Sequence, residues 1–209
     1  MKTFEEIKNK YDHIFNGLNG YSVSLTEKQN KINDLYIKDL IYGETPIELL
    51  YALFQLDFIK DYMSRAKVFY DLGSGIGNMV IGNYLIGNFE KCVGVELLDS
   101  LYKISKIAEE RLISFDPNAK NKIKFIHDNI LNINISDADL VLFCCPNKDE
   151  NLRSKMEEIF KTLKKGAVIL SLIHIIQNKK DFEMLAAKMV RSAWGETPMM
   201  FYKKITDSY

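Results

Sequence analysis

Val68-Phe69-Tyr70-Asp71-Leu72-Gly73-Ser74-Gly75-Ile76-Gly77-Asn78 reads as a buried strand that breaks into a glycine-rich turn and then a helix. Its apolar and aromatic run suits a strand covered on both faces. Glycines at three alternate positions let the backbone turn sharply and approach a ligand closely. The helix that follows presents free N–H groups at its start. Nucleotide-like cofactors bind at such a place, outside the carboxyl ends of parallel strands.

Outward from this turn, strand and helix patterns alternate, as in a doubly wound α/β sheet. Strands are expected at 67–72, 91–96, 123–127, 139–144 and 167–173, with helices at 76–86, 100–114 and 150–164 between them. The last of these helices stops at Lys164-Lys165-Gly166, two cations followed by a C-cap glycine. A further helix is expected near 179–190. Two short segments then follow, one around Arg191–Trp194 and one from Met199 to Ile205, joined by a Gly-Glu-Thr-Pro turn. They predict an antiparallel hairpin at the sheet edge.

Upstream, residues 1–41 read as a helical extension, too small to bury a core alone, and 42–209 as the main domain. The extension carries Phe4, Ile7, Tyr11, Ile14 and Phe15 at helical spacing and breaks at Asn19-Gly20. A capping box at Thr26-Glu27-Lys28-Gln29 predicts a second helix that turns Ile32, Leu35, Tyr36 and Leu40 inward. Thr45 as N-cap, Pro46 at the first helical position and Glu48 predict a third helix, running towards Tyr62.

Bulk properties exclude several classes of function. Lys+Arg 28 balance Asp+Glu 28, leaving no basic field or strong patch for nucleic acid. No apolar run approaches the ~18 residues that span a bilayer, and the polar, acidic start is not a signal peptide. Three cysteines cannot all pair. Cys92, Cys144 and Cys145 lack any metal-ligand spacing, which points to reduced thiols, no metal, and an intracellular (cytoplasmic or nuclear) protein.

The glycine turn departs from the dinucleotide fingerprint, because Asn78 stands where the third glycine or alanine belongs. Asp71, two positions before the first glycine, instead suits a cofactor with an amino-acid ammonium. The helix start suits the matching carboxylate. S-adenosylmethionine has both groups. Glu96, ending the second strand, can accept both ribose hydroxyls, a feature shared with NAD proteins. Asp128, after the third strand, can accept an adenine amino group while Asn129 covers the ring; both residue types are equally at home as caps.

Asp71-Leu72-Gly73-Ser74-Gly75-Ile76-Gly77, Gly94-Val95-Glu96 and His127-Asp128-Asn129 resemble the first three cofactor signatures of the class I, seven-strand methyltransferases. That resemblance implies a Rossmann-like, mostly parallel seven-stranded sheet with an antiparallel C-terminal hairpin. It also implies S-adenosylmethionine as cofactor and S-adenosylhomocysteine as product. Tyr42-Gly43-Glu44-Thr45 is similar to the Dot-one (disruptor of telomeric silencing) histone lysine methyltransferases, whose upstream loop closes over the methionine end. Trp194, Pro198, Phe201 and Tyr202 are similar to that family's final hairpin.

The family carries Asn-Asn-Phe after its fourth strand, where this chain reads Phe143-Cys144-Cys145-Pro146-Asn147. That departure is more similar to the methyltransferases of lysine in the ATP-synthase c subunit and their archaeal broad-specificity relatives. The resemblance therefore implies a protein substrate and a lysine acceptor, with Tyr42, Glu44, Cys144 and Pro146 bordering its channel and Trp194 and Phe201 walling it. Cofactor contacts are expected from Tyr42, Gly43, Glu44, Thr45, Asp71, Leu72, Gly73, Ser74, Gly75, Gly77, Asn78, Glu96, Asp128, Asn129 and Cys144. A small-molecule or RNA methyltransferase and a non-catalytic cofactor-binding partner subunit are the competing readings.

Overall fold

The apolar run before the glycines forms β1 (Val68–Leu72), an interior strand of a sheet ordered β3-β2-β1-β4-β5-β7-β6. The computed structural model describes residues 3–30, 42–144, 150–192 and 195–207. β2 (Lys91–Glu96), β3 (Ile123–His127), β4 (Leu140–Cys144) and β5 (Val168–Leu172) run parallel to β1. β6 (Phe182–Ser192) and β7 (Gly195–Lys204) form an antiparallel hairpin, and β7 pairs antiparallel with β5. The chain leaves β1 towards β2 on one side and returns to β4 on the other. The carboxyl end of β1 is therefore a topological switch point, where α/β sheets bind ligands.

Helices cover both faces of this sheet. On one face, α1 (Phe4–Phe15), α3 (Ile47–Leu53), α4 (Asp57–Arg65), α5 (Asn78–Ile86) and α6 (Asp99–Phe115) bury Ile14, Leu50, Ile59, Met63 and Val80 against Phe69 and Leu142. On the other, Met156 and Phe160 of α7 (Glu150–Lys161) pack against Tyr70, Phe143 and Ile169. Strands buried on both faces have no polar side to alternate with, which explains their continuous apolar runs.

Three expectations are corrected. The segment expected as a helix near 179–190 is strand β6. Its Glu, Met, Leu, Ala and Lys residues favour helix, but pairing with β7 along the sheet edge overrides that weak preference. The second helix, α2 (Gly20–Asn30), begins six residues before the expected Thr26 cap. Asn19 caps it instead, accepting the Ser22 N–H at 3.2 Å, and the Thr26 hydroxyl donates to the Ser22 carbonyl inside the helix. The third helix starts one residue late, with Pro46 as a cap that makes no side-chain bond, and it breaks after Leu53 before α4 resumes at Asp57. Leu50 and Ile59 are nine residues apart, about two and a half turns, so a straight helix would point them in opposite directions. The break lets both be buried in one cluster. Ile32, Leu35, Tyr36 and Leu40 lie outside the described residues.

The amino end of the sheet is tied by one carboxylate. Asp139 accepts the Lys67 and Val68 N–H groups at 2.8 and 2.9 Å and pairs with Lys164 at 2.6 Å. Burial alone would raise its pKa, but Lys164 and the two N–H groups outweigh burial and hold it low. Asp139→Ala is expected to cost about 1–3 kcal/mol in urea unfolding, because two strand N–H groups lose their acceptor. Its contribution is present at neutral pH and is lost on acidification, once pH falls through the depressed pKa.

Candidate functional site

At the carboxyl end of β1 the backbone enters the left-handed region at Gly73, Gly75 and Gly77, with φ of 93°, 55° and 92°. Gly73 and Ser74 donate N–H groups to the Val95 carbonyl, each at 2.9 Å, which folds the turn towards β2. Gly75 donates instead to a side chain, Oε2 of Glu96, at 2.8 Å. The other carboxylate oxygen of Glu96 accepts the Leu98 N–H at 2.8 Å. Glu96 thus bridges the glycine turn to the start of α6.

Asp71 and Glu96 are both buried, 3% and 7% exposed. Burial, then the charge of Glu96, pushes the Asp71 carboxyl up to about 8. Burial also raises Glu96, partly offset by the N–H groups it accepts, while Glu27 adds a further upward push. Two carboxylates buried together, each raised by burial, form a cation-favouring site. The Ser74 hydroxyl is buried beside them without a hydrogen-bond partner among the described residues.

Tyr42 covers the turn. A Cβ on Gly75 would lie 2.7 Å from its ring, so glycine is required there both for φ and for space. The Tyr42 hydroxyl donates to Glu44 at 2.6 Å, and burial followed by that carboxylate pushes its pKa up. Gly43 and Thr45 are half-buried beside them. Asn78 opens α5 and donates to the Tyr11 hydroxyl of α1 at 2.7 Å. The position that breaks the dinucleotide fingerprint therefore ties the helix after the turn to the N-terminal extension.

Asp128 and Asn129 follow β3, and Asn129 caps the short helical turn after it. Asn129 accepts the Leu131 N–H at 2.9 Å, and Oδ1 of Asp128 accepts from both the Asn129 N–H and the Asn132 amide. Leu72 is buried in the core, so only its backbone can face a ligand. Cys144 ends β4, half-buried, opposite Leu172. Phe201, expected as a channel wall, is instead fully buried at the ring edge of Phe58, 5.0 Å between centroids, on the α4 side of the sheet. Cys145, Pro146, Asn147 and Trp194 lie outside the described residues.

Two features had no signal in the sequence. Ile173, just after β5, has φ 71°, a costly conformation for a β-branched residue. It is held by donating its N–H to the Pro198 carbonyl at 3.1 Å. Glu27 of α2 reaches the start of α6, more than seventy residues later in the chain.

Residues 21–203 match the family described as histone methylation protein DOT1. The chain belongs to that family. A protein-lysine N-methyltransferase from Saccharolobus islandicus is 28% identical over 138 residues, covering 65% of this chain and 78% of the relative. Among solved structures, an RNA methyltransferase from Salinibacter ruber in complex with S-adenosylhomocysteine superposes with a TM-score of 0.57 at 21% identity. It covers 78% of this chain and 95% of its own. Cofactor-bound Rv0187 from MTB also gives 0.57, at 11% identity over 98% of both chains. The DOT1-family chain is a methyltransferase that uses S-adenosylmethionine. Its site fits that cofactor: two buried carboxylates, a glycine cradle, and a Ser74 hydroxyl with no partner among the described residues. No described helix is long and apolar enough to cross a membrane.

Proposed function

We propose that this chain methylates the side-chain amine of a protein lysine. Asp71 takes the cofactor's ammonium, Glu96 its ribose hydroxyls, and Asp128 its adenine amino group. Tyr42, Gly43, Glu44 and Thr45 close over the methionine end. The cofactor supplies a methyl group on a sulfonium, which leaves as a neutral thioether, so the protein needs no acid to expel it. What remains for the chain is to position and desolvate the nucleophile.

The observation that carries the lysine reading is the apolar carboxyl edge of β4 and β5. Cys144 lies beside Leu172, Ile173 follows it, and Ile175 is exposed just beyond. An apolar edge lowers the pKa of an entering lysine and leaves its amine neutral. Phe143-Cys144 is not the start of the Asn/Asp-Pro-Pro-Tyr segment common in enzymes that methylate base or glutamine amides. The Saccharolobus relative supports the same acceptor. Balanced charge supports a protein other than one gripped through nucleic acid.

The test incubates the protein with tritiated S-adenosylmethionine and a cell lysate. Label is expected in protein bands, released on hydrolysis as methyl-lysine. Label confined to nucleic acid or small molecules overturns the reading, and so does methylation of protein residues other than lysine.

A further inference from the structure

An acidic side chain of the N-terminal helices reaches the segment that follows β2. Glu27 of α2 accepts the Ser100 N–H at 2.8 Å and the Asp99 N–H at 3.3 Å. These are the first N–H groups of α6, which lack partners within the helix. The preceding N–H, of Leu98, goes to Glu96. The segment from Glu96 to Ser100 is therefore held by two carboxylates, its own and one from α2. The positive end of the α6 dipole lets both approach, although Glu27 raises the pKa of Glu96.

Other contacts hold α1 and α2 in the same place. Asn78, which follows the glycine turn, donates to Tyr11. Arg111 of α6 donates to the carbonyls of Ile14 and Asn16 at 2.8 Å each, capping the end of α1. A Cβ on Gly20, the first residue of α2, would collide with the Tyr42 hydroxyl, which shows how closely α2 meets the loop over Gly75. All of these partners belong to the elements around the glycine turn.

We propose that Glu27 is a positioning residue for the ribose-binding carboxylate: by fixing the start of α6 it sets the placement of Glu96, and the N-terminal helices are a wall of the cofactor site. This rests on the assignment of Glu96 to the ribose. Glu27 lines an open surface cleft with Ser22, Thr26, Asn30, Asp99 and Ser100. Water can therefore replace its side chain in a truncated variant, and loss of the fold is not expected.

The experiment is calorimetric titration of the full chain with S-adenosylhomocysteine. Glu27→Ala is expected to weaken binding about tenfold, and Glu27→Gln, which keeps one acceptor oxygen, about threefold. On a Glu96→Ala background, Glu27→Ala is expected to add less than about twofold, since it acts through Glu96. On an Asp71→Asn background it should retain its full effect. A purely structural role would lower the melting temperature and leave affinity measured well below it unchanged, which overturns the proposal. Full multiplication of the two effects on the Glu96→Ala background also overturns it. If Glu96→Ala alone leaves affinity unchanged, the ribose assignment fails first and the proposal fails with it. Should Glu27→Ala not fold, the Gln variant supports the same comparisons.

Discussion

Asp71→Ala is expected to weaken S-adenosylmethionine binding by about 100-fold or more, because a buried charge-assisted contact is worth several kcal/mol once its partner is removed. Asp71 is 3% exposed, and burial with the neighbouring Glu96 pushes its carboxyl up to about 8. In the ligand-free protein it is therefore mostly protonated at pH 7. Binding an ammonium favours the carboxylate, so cofactor uptake near pH 7 should release a proton. Affinity should then rise about tenfold per unit from pH 6 towards 8, and fall above about 8 as the cofactor's own amine deprotonates. Calorimetry in buffers of different ionisation enthalpy reads the proton directly. Asp71→Asn should flatten the rising limb and abolish the release; an unchanged pH profile in that variant would sink the assignment.

The same shift has a stability consequence of opposite direction. The folded pKa lies above the unfolded one, so Asp71's contribution is fully present below about 4 and is lost as pH rises through about 8. Without cofactor, Asp71→Asn should therefore melt higher than the parent at pH 8 while binding the cofactor more weakly. A site that destabilises its own fold until a cation arrives is the expected cost of a preformed binding carboxylate.

How much of this was legible depends on how local each cause is. β1 and its turn could be read directly, because the apolar run and the three glycines act within a few residues of one another. The places of Asp71 and Glu96 near the carboxyl ends of β1 and β2 were legible for the same reason. β6 was not: Glu183-Met184-Leu185-Ala186-Ala187-Lys188-Met189 carries helix formers, and only β7, beyond the turn, makes it a strand. The break between α3 and α4 has no glycine or proline to announce it; burying both Leu50 and Ile59 demands it. Glu27 could be read as a helix-start residue but not as a partner of Ser100, since no spacing rule spans that separation. The capping reading is realised for Asn129, which accepts the Leu131 N–H, whereas Asp128 bonds within its own turn.

Gly77→Ala is expected to destabilise the protein by about 2–5 kcal/mol, through two separable effects. Gly77 sits at φ 92°, where a side chain costs about 1–2 kcal/mol. In addition, its Cβ would lie 2.5 Å from Cζ and 2.8 Å from Cε1 of Phe125, a buried ring of β3 that cannot retreat without shifting its neighbours. Forcing a carbon into such a packed space typically costs about 1–3 kcal/mol more. Gly73 provides the control, having φ 93° and no atom within 4 Å of the point a Cβ would occupy. Gly73→Ala should therefore show the backbone cost alone, and the difference between the two variants in urea unfolding isolates the Phe125 contact. Adding Phe125→Leu to Gly77→Ala should recover part of the loss, although Phe125→Leu is destabilising by itself. If both alanine variants lose the same stability and Phe125→Leu rescues nothing, close packing against β3 is not why glycine stands at 77. The outcome matters for the cofactor, because the turn's third glycine then serves to seat α5 on the sheet, one residue before Asn78 binds Tyr11 and brings the N-terminal helices to the site.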